Sequence, residues 1–374
     1  MIFRFATALV FTANAAFAQV DQGSRNADFA PAFENQTRAP ELPSSQIEVS
    51  VFANGFDFPW GITPLPDGGF LVTERGGVLK RVNASGAEIQ VIGGLPQIEA
   101  IRQGGLLDVA AVPDAGSEGL VYFTYSKPVQ GGVALAAARG QLQGNMLVGV
   151  QDIFVQTPAL RSGQHFGSRI IPTDDGVWIT SGDRGSPDLA QGQNSIGKVI
   201  WVDNAGQAFV WSTGHRNIQG AILRQGELWT VEHGPRGGDE LNRPQQGRNY
   251  GWPVISYGIN YSGTDVGDGI AIADGYEQPV YYWDPVIAPG GMGAYPANAA
   301  FVPWRGDLFV SSLNPGGLMR LKLEGGRVVG EERLLPDVGR VRDVEVLADG
   351  DLLVLIDAPG ASILRISPMG GAGG

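Results

Sequence analysis

One short pattern recurs along the chain, and it constrains the fold more than any composition figure does. An apolar run leads into a turn built on Pro, Asp or Gly, and a second apolar run then ends near a Gly or a charged residue. Trp60-Gly61-Ile62-Thr63-Pro64 passes through Asp67-Gly68-Gly69 into Phe70-Leu71-Val72-Thr73, and Leu106 to Ala110 passes Pro113-Asp114 into Val121-Tyr122-Phe123-Thr124. Arg169-Ile170-Ile171 leads through Asp174-Asp175-Gly176 to Val177-Trp178-Ile179-Thr180, and Gln219 to Leu223 precedes Glu227-Leu228-Trp229-Thr230. Phe301-Val302-Pro303 precedes Asp307-Leu308-Phe309-Val310, and Arg342-Asp343-Val344 precedes Asp349-Gly350 and Leu352 to Leu355. A pitch of roughly 40 to 80 residues is what four-stranded propeller blades with some long inserted loops produce. The Asp-Gly pairs predict hairpin turns, in which glycine supplies the positive φ. No stretch keeps a helical apolar period for long, so helices are expected to be few. The prediction is an all-β chain, a six-bladed β-propeller of four-stranded antiparallel blades over residues 44–370, favoured over a sandwich or two small domains. Propellers bind ligands where loops surround the mouth of the central channel, so loop residues with unusual chemistry carry the functional information.

Of the 374 residues, 43% are hydrophobic and only 17% are charged, which is enough apolar surface for a large core. The net charge of −12 argues against nucleic acid as a partner, because phosphate binding needs a surplus of Lys and Arg. There is no cysteine, which excludes thiol catalysis, disulfides and Cys-based zinc sites. The N-terminus reads as a signal peptide: Arg4 is the positive flank, Phe5 to Phe11 is mostly apolar, and Ala16-Phe17-Ala18 fits the small-x-small cleavage rule. Cleavage after Ala18 gives a periplasmic product, and the apolar run is too short to span a bilayer. No later segment spans one either. Residues 19–43 are polar and contain Pro, and read as a flexible leader.

The three histidines each have an unusual setting: His165 in Gly163-Gln164-His165-Phe166-Gly167, His215 in Gly214-His215-Arg216-Asn217, and His233 in Glu232-His233-Gly234-Pro235. None shows the close pairing of local metal ligands, which weighs against a three-histidine metal site. Glycines around His165 let a ligand approach closely. Asp183, in Gly182-Asp183-Arg184-Gly185, either orients the His165 imidazole or caps its own turn; local sequence leaves both open. The stretch from Gly234 to Tyr250 offers carboxylates and bare backbone, a donor set that suits calcium, although it lacks the spacing of an EF-hand. Arg340 and Arg342 fall on one face of an extended segment, where two guanidinium forks can grip an anion or stay solvated beside Asp343.

Together these segments resemble the soluble aldose sugar dehydrogenases that depend on pyrroloquinoline quinone (PQQ), relatives of soluble quinoprotein glucose dehydrogenase. The resemblance runs in order through Phe58-Pro59-Trp60-Gly61, Gln103 to Val109, His165 to Arg169, Gly182 to Gly185 and Gly214 to Asn217. It continues through Glu232 to Glu240, Asn249 to Pro253, Gln278 to Trp283 and Arg340 to Val344. It implies an enzyme that oxidises an aldose at C1 to the lactone, with PQQ and Ca²⁺ as cofactors and an unidentified electron acceptor. Monomer and homodimer both remain open. His165 then matches the general base, Asp183 the carboxylate that supports it, and Arg216 a group that steadies negative charge on the quinone. Gln103, Arg216, Asn217, Tyr261, Arg340 and Arg342 match cofactor contacts. Gly234 and Pro235 match backbone ligands of the calcium on PQQ, and Glu240 and Tyr250 match a further calcium site. Asn314, in Ser312-Leu313-Asn314-Pro315, stands where the family usually has a cofactor-pairing Lys. That departure is the feature favouring an alternative, a propeller that has lost its cofactor and binds sugar or protein. A calcium-dependent lactonase fits less well, because it wants several carboxylates around one channel metal.

Overall fold

The computed structural model describes residues 18–112 and 119–370. Most of the signal-peptide segment and the Pro113-Asp114 turn lie outside the described residues. The described chain forms six four-stranded antiparallel sheets, five of them meanders of consecutive strands. Their inner strands are Pro59–Pro64, Leu106–Val112, Gly167–Thr173, Ile218–Arg224, Pro289–Ala294 and Val341–Val346. Each inner strand packs against the next, and the sixth packs against the first, which closes a six-bladed β-propeller. The ring is locked by the N-terminal strand Ile47–Phe56, which pairs with Ala361–Pro368 as the outermost strand of the last blade. Among the described residues only two short 3₁₀ turns, Pro187–Gln191 and Val302–Trp304, are helical, and no helix is long and apolar enough to cross a membrane.

The turn chemistry follows the sequence pattern. Gly68 adopts φ +82°, and the Asp67 carboxylate accepts the Gly69 N–H at 3.0 Å. The core lies between neighbouring blades, where facing strands interleave. Trp229, Leu241, Tyr281, Trp283, Met292 and Val310 form one such layer between the fourth and fifth blades. Fully burying each large apolar side chain contributes roughly 1.5–3 kcal/mol. Trp283 Nε1 also donates to Glu331 at 3.2 Å, so its one polar atom is not stranded.

Two expectations need correction. The apolar run Phe301-Val302-Pro303 is not the inner strand of the fifth blade; it leads into the Val302–Trp304 turn, and the inner strand is Pro289-Gly290-Gly291-Met292-Gly293-Ala294. This glycine-rich strand has no apolar signature because the channel wall leaves no room for side chains. A Cβ on Gly291 would lie 1.6 Å from Asp343 Oδ1 and 2.6 Å from Arg169 Nη2. The leader is likewise no free tail. Residues 18–43 lie along the fourth and fifth blades, with Gln36 and Ala39 fully buried and Leu42 N–H bonded to the Glu331 carbonyl at 2.9 Å. Polar composition misleads here because Gln22, Asn26 and Gln36 spend their polarity on hydrogen bonds to the blades.

Candidate active site

His165 stands two residues before the inner strand of the third blade, and Asp183 two residues after its second strand, Gly176–Ser181. Antiparallel pairing of Gly167 with Ser181 brings the two loops to one end of the blade. His165 Nδ1 lies 2.7 Å from Asp183 Oδ1. A carboxylate accepts, so the ring proton sits on Nδ1 and the lone pair on Nε2. Asp183 is itself fixed, accepting the Gly185 N–H at 2.7 Å on Oδ1 and Trp252 Nε1 at 2.8 Å on Oδ2. Burial alone would raise the Asp183 carboxyl, but the His165 hydrogen bond, the Arg216 charge and the Gly185 N–H outweigh it and hold the group below its ordinary value.

The histidine backbone is held under constraint. His165 has φ +48°, a left-handed conformation that a non-glycine residue adopts at some cost. Gln103 Oε1 accepts its N–H at 2.8 Å, and its carbonyl accepts the Arg184 N–H at 3.2 Å. The buried Arg184 guanidinium donates to the Gln164 and Ser162 carbonyls and lies 3.7 Å over the Phe166 ring, gripping the loop on both sides of the histidine.

Cationic groups gather beside this pair. Arg216 lies over the Trp252 ring at 5.2 Å and donates Nη1 to the His233 carbonyl at 3.2 Å. Asn217 Oδ1 accepts the Gly167 N–H at 3.1 Å. Arg340 and Arg342 both reach Asp357 Oδ2, at 2.7 and 3.1 Å. Asp343 is not their partner, since Arg169 takes it at 2.9 Å. Arg342 Nη1 also donates to Gln219 Oε1 at 2.8 Å, and His233 Nε2 lies 3.2 Å from the same oxygen. Burial would raise Asp357, but Arg342, Arg340 and Arg75 hold its carboxyl low. Three arginines around one carboxylate leave net positive charge, and the Nε atoms of Arg216 and Arg342 are buried without a hydrogen-bond partner. That surplus suits a ligand with more than one carboxylate.

A second locus adjoins Arg216. Glu232 and Glu240 are register partners on adjacent strands, and Asn242 Nδ2 donates to both, at 2.9 and 3.0 Å. Burial and the Glu232 charge push the Glu240 carboxyl up, and Asn242 Oδ1 is buried without a partner. A cavity of about 20 Å³, bounded by Gly234, Gly238, Glu232, Glu240 and Tyr250, opens here. It has room for a single water or monatomic ion. No cage of three or more His, Cys, Asp or Glu exists among the described residues. Glu232 and Glu240 offer the oxygen donors that calcium accepts, with glycine backbone beside them, while Arg216 and His233 also line the cavity.

Of the residues singled out from sequence, Gln103, His165, Asp183, Arg216 and Asn217 join one hydrogen-bonded constellation, while Arg340 and Arg342 share Asp357 beside it. Gly234, Glu240 and Tyr250 meet at the cavity. Asn314 is exposed, next to Leu313, whose carbonyl accepts Arg340 Nη1 at 3.1 Å. Tyr261 is 74% exposed on the long loop after the third strand of the fourth blade and takes no part in the buried constellation. The sequence reading gave no role to Trp252, Glu232, Asp357, Gln219 or Arg75. One signal was available for the acids: Glu74, Asp183, Glu232 and Asp357 each stand at, or one or two residues past, the end of a blade's second strand.

A family model described as Glucose / Sorbosone dehydrogenase matches residues 56–365. The aldose sugar dehydrogenase YliI of Escherichia coli is 35% identical over 346 residues, covering 86% of this chain and 93% of that protein. The crystal structure of the soluble Escherichia coli aldose sugar dehydrogenase in its apo-form superposes with a TM-score of 0.82 at 35% identity, over 86% of this chain and 100% of its own. The PQQ-bound aldose sugar dehydrogenase of Streptomyces coelicolor gives a TM-score of 0.72 at 25% identity, over 87% of this chain and 99% of its own.

Proposed function

The chain belongs to the Glucose / Sorbosone dehydrogenase family and is a sugar dehydrogenase, and we propose that it oxidises aldoses at C1 to the lactone using PQQ and Ca²⁺, with His165 as general base. The observation that carries this reading is the Trp252–Asp183–His165 relay set beside an arginine cluster with surplus positive charge. Bound PQQ supplies a quinone that accepts the C1 hydride.

His165 Nε2 takes the proton of the anomeric hydroxyl, and Asp183 stabilises the resulting imidazolium across the 2.7 Å bond. The side chain is 16% exposed, open enough for a sugar hydroxyl yet shielded enough to keep the ring in one orientation. Arg342 and Arg340 would hold PQQ carboxylates, and Arg216 with Asn217 and Gln103 would face the quinone oxygens, Arg216 favouring negative charge there. Tyr261 and Asn314 would meet the cofactor at the exposed rim. The carbonyls of Gly234 and Pro235 would take the Ca²⁺ that sits on PQQ, and Glu240 and Tyr250 would serve a further Ca²⁺. A propeller that binds sugar without cofactor draws support only from Asn314, and the retained arginines weigh against it.

Titration of metal-free apoprotein with PQQ and Ca²⁺, followed by an aldose, tests the reading. Saturable changes in the PQQ absorbance, then bleaching to the reduced form, are expected; no saturation with PQQ contradicts it. We also read the protein as exported to the periplasm with Gln19 as its mature N-terminus, and mass spectrometry of a mature chain still carrying residues 1–18 contradicts that.

A further inference from the structure

The segment between the cleavage site and the first strand lies outside the family match, which begins at residue 56, yet it packs directly behind the Gly234–Asp239 loop. Arg236 Nε donates to Asn26 Oδ1 at 3.0 Å. Asn26 donates its N–H and Nδ2 to the Asp284 carboxylate at 2.9 and 2.8 Å, and Ala27 N–H adds a third donor at 3.0 Å. Among the described residues, every hydrogen bond to that buried carboxylate comes from this segment. The carboxylate presses against Gly237: a Cβ there would lie 2.5 Å from Asp284 Oδ1. The loop is thus one layer of backbone, with Gly234 and Gly238 on the cavity side and Arg236 and Gly237 on the Asn26–Asp284 side.

We propose that residues 19–42 are a clasp that preorganises this loop for its cation, with the Asn26–Asp284 contact as its fastening point. The loop contains three glycines, Gly234, Gly237 and Gly238, and glycine-rich backbone is costly to order on ligand binding. A rear wall that orders it beforehand removes that cost from the binding step. Loss of the Asn26 side chain removes one of the three donors to Asp284, the Nδ2, and with it the acceptor of Arg236 Nε, so the carboxylate, still buried against Gly237, must seek water while the loop loses its tie to the segment. Asn26 is partly exposed, so substitutions there leave the propeller core untouched. The role rests on the reading that this loop binds calcium.

The test uses full-length mature protein, wild type, Asn26→Ala and Asn26→Asp, each stripped of metal. Ca²⁺ is titrated alone while the thermal unfolding midpoint is followed, and amide hydrogen exchange is measured over residues 234–240. The half-saturating Ca²⁺ concentration is expected to rise about tenfold in Asn26→Ala, the effect of losing hydrogen bonds to a charged group. It should rise further in Asn26→Asp, where two carboxylates face each other. Exchange over 234–240 should accelerate in both variants while the inner strands keep wild-type protection. Unchanged half-saturation and loop exchange in both variants, with a wild type that responds to Ca²⁺, overturn the clasp. A wild type whose midpoint ignores Ca²⁺ contradicts the metal reading itself, and this role with it.

Discussion

Trp252 Nε1 donates to Asp183 Oδ2 at 2.8 Å, so the carboxylate that orients the candidate base is itself oriented from another blade. Asp183 belongs to the third blade, whereas Trp252 comes from the long insertion between the third and fourth strands of the fourth. The same indole lies under Arg216. One side chain therefore couples the His165–Asp183 pair to the cationic side chains beside it.

Replacing Trp252 with Phe keeps a ring beneath Arg216 and removes only the hydrogen bond. A bond to a charged group contributes about 1.5–3 kcal/mol, so turnover should fall roughly tenfold to a hundredfold. PQQ affinity should change much less. Steady-state rates at saturating PQQ, compared with a PQQ titration, separate the two. Equal losses in both would mean that Trp252 supports the cofactor and not the base.

Asp357 yields a prediction in pH. Its carboxyl is held below its ordinary value of 3.8 against the effect of burial, chiefly by Arg342 and Arg340. Folded pKa lies below unfolded pKa, so the stabilisation is complete above about pH 4 and fades as pH falls through the lower folded value. Asp357→Asn should destabilise the apoprotein at pH 7 by about 1–3 kcal/mol. Most of this is assigned to Arg342, because Arg340 is half exposed and screened. Urea unfolding from pH 7 down to pH 3 should show the two proteins converging at the acid end. A gap that stays constant across that range contradicts the assignment.

Asn314 offers a gain of affinity. It is exposed beside Leu313, whose carbonyl anchors Arg340, so a Lys there adds a cation at the rim of the arginine cluster without displacing a buried group. Asn314→Lys is expected to tighten PQQ binding about tenfold, with little change in turnover at saturating cofactor. Equilibrium titration with PQQ reads this directly, and unchanged or weaker binding removes Asn314 from the cofactor contacts.

The fold was legible because turn chemistry and apolar alternation are local. Asp67-Gly68-Gly69 announces a hairpin whatever surrounds it. The inner strand around Gly291 was not, because its residues answer to Asp343 and Arg169 from other blades, and no local window shows that crowding. The same division holds in the site. His165 and Asp183 were found as residue types in glycine-rich loops, but their contact comes from the Gly167–Ser181 pairing. Trp252 and Asp357 act through partners 69 and 15 or more positions away, so spacing gave them no mark. The segment at 19–43 was misread because polar side chains look alike whether they face water or close hydrogen bonds to a blade.

The central claim is that His165 Nε2 accepts the substrate proton while the arginines hold the cofactor. Stopped-flow measurement of the reductive half-reaction tests it: His165→Ala and wild type, both loaded with PQQ and Ca²⁺, are mixed with an aldose in the absence of an electron acceptor. Removing a positioned base typically costs about 10²–10⁴-fold. His165→Ala should reduce PQQ slower by at least that much while binding it almost as tightly, since Arg216, Arg340 and Arg342 remain. Reduction of PQQ by the variant at nearly the wild-type rate would contradict the account, and the base would have to be sought elsewhere in the site.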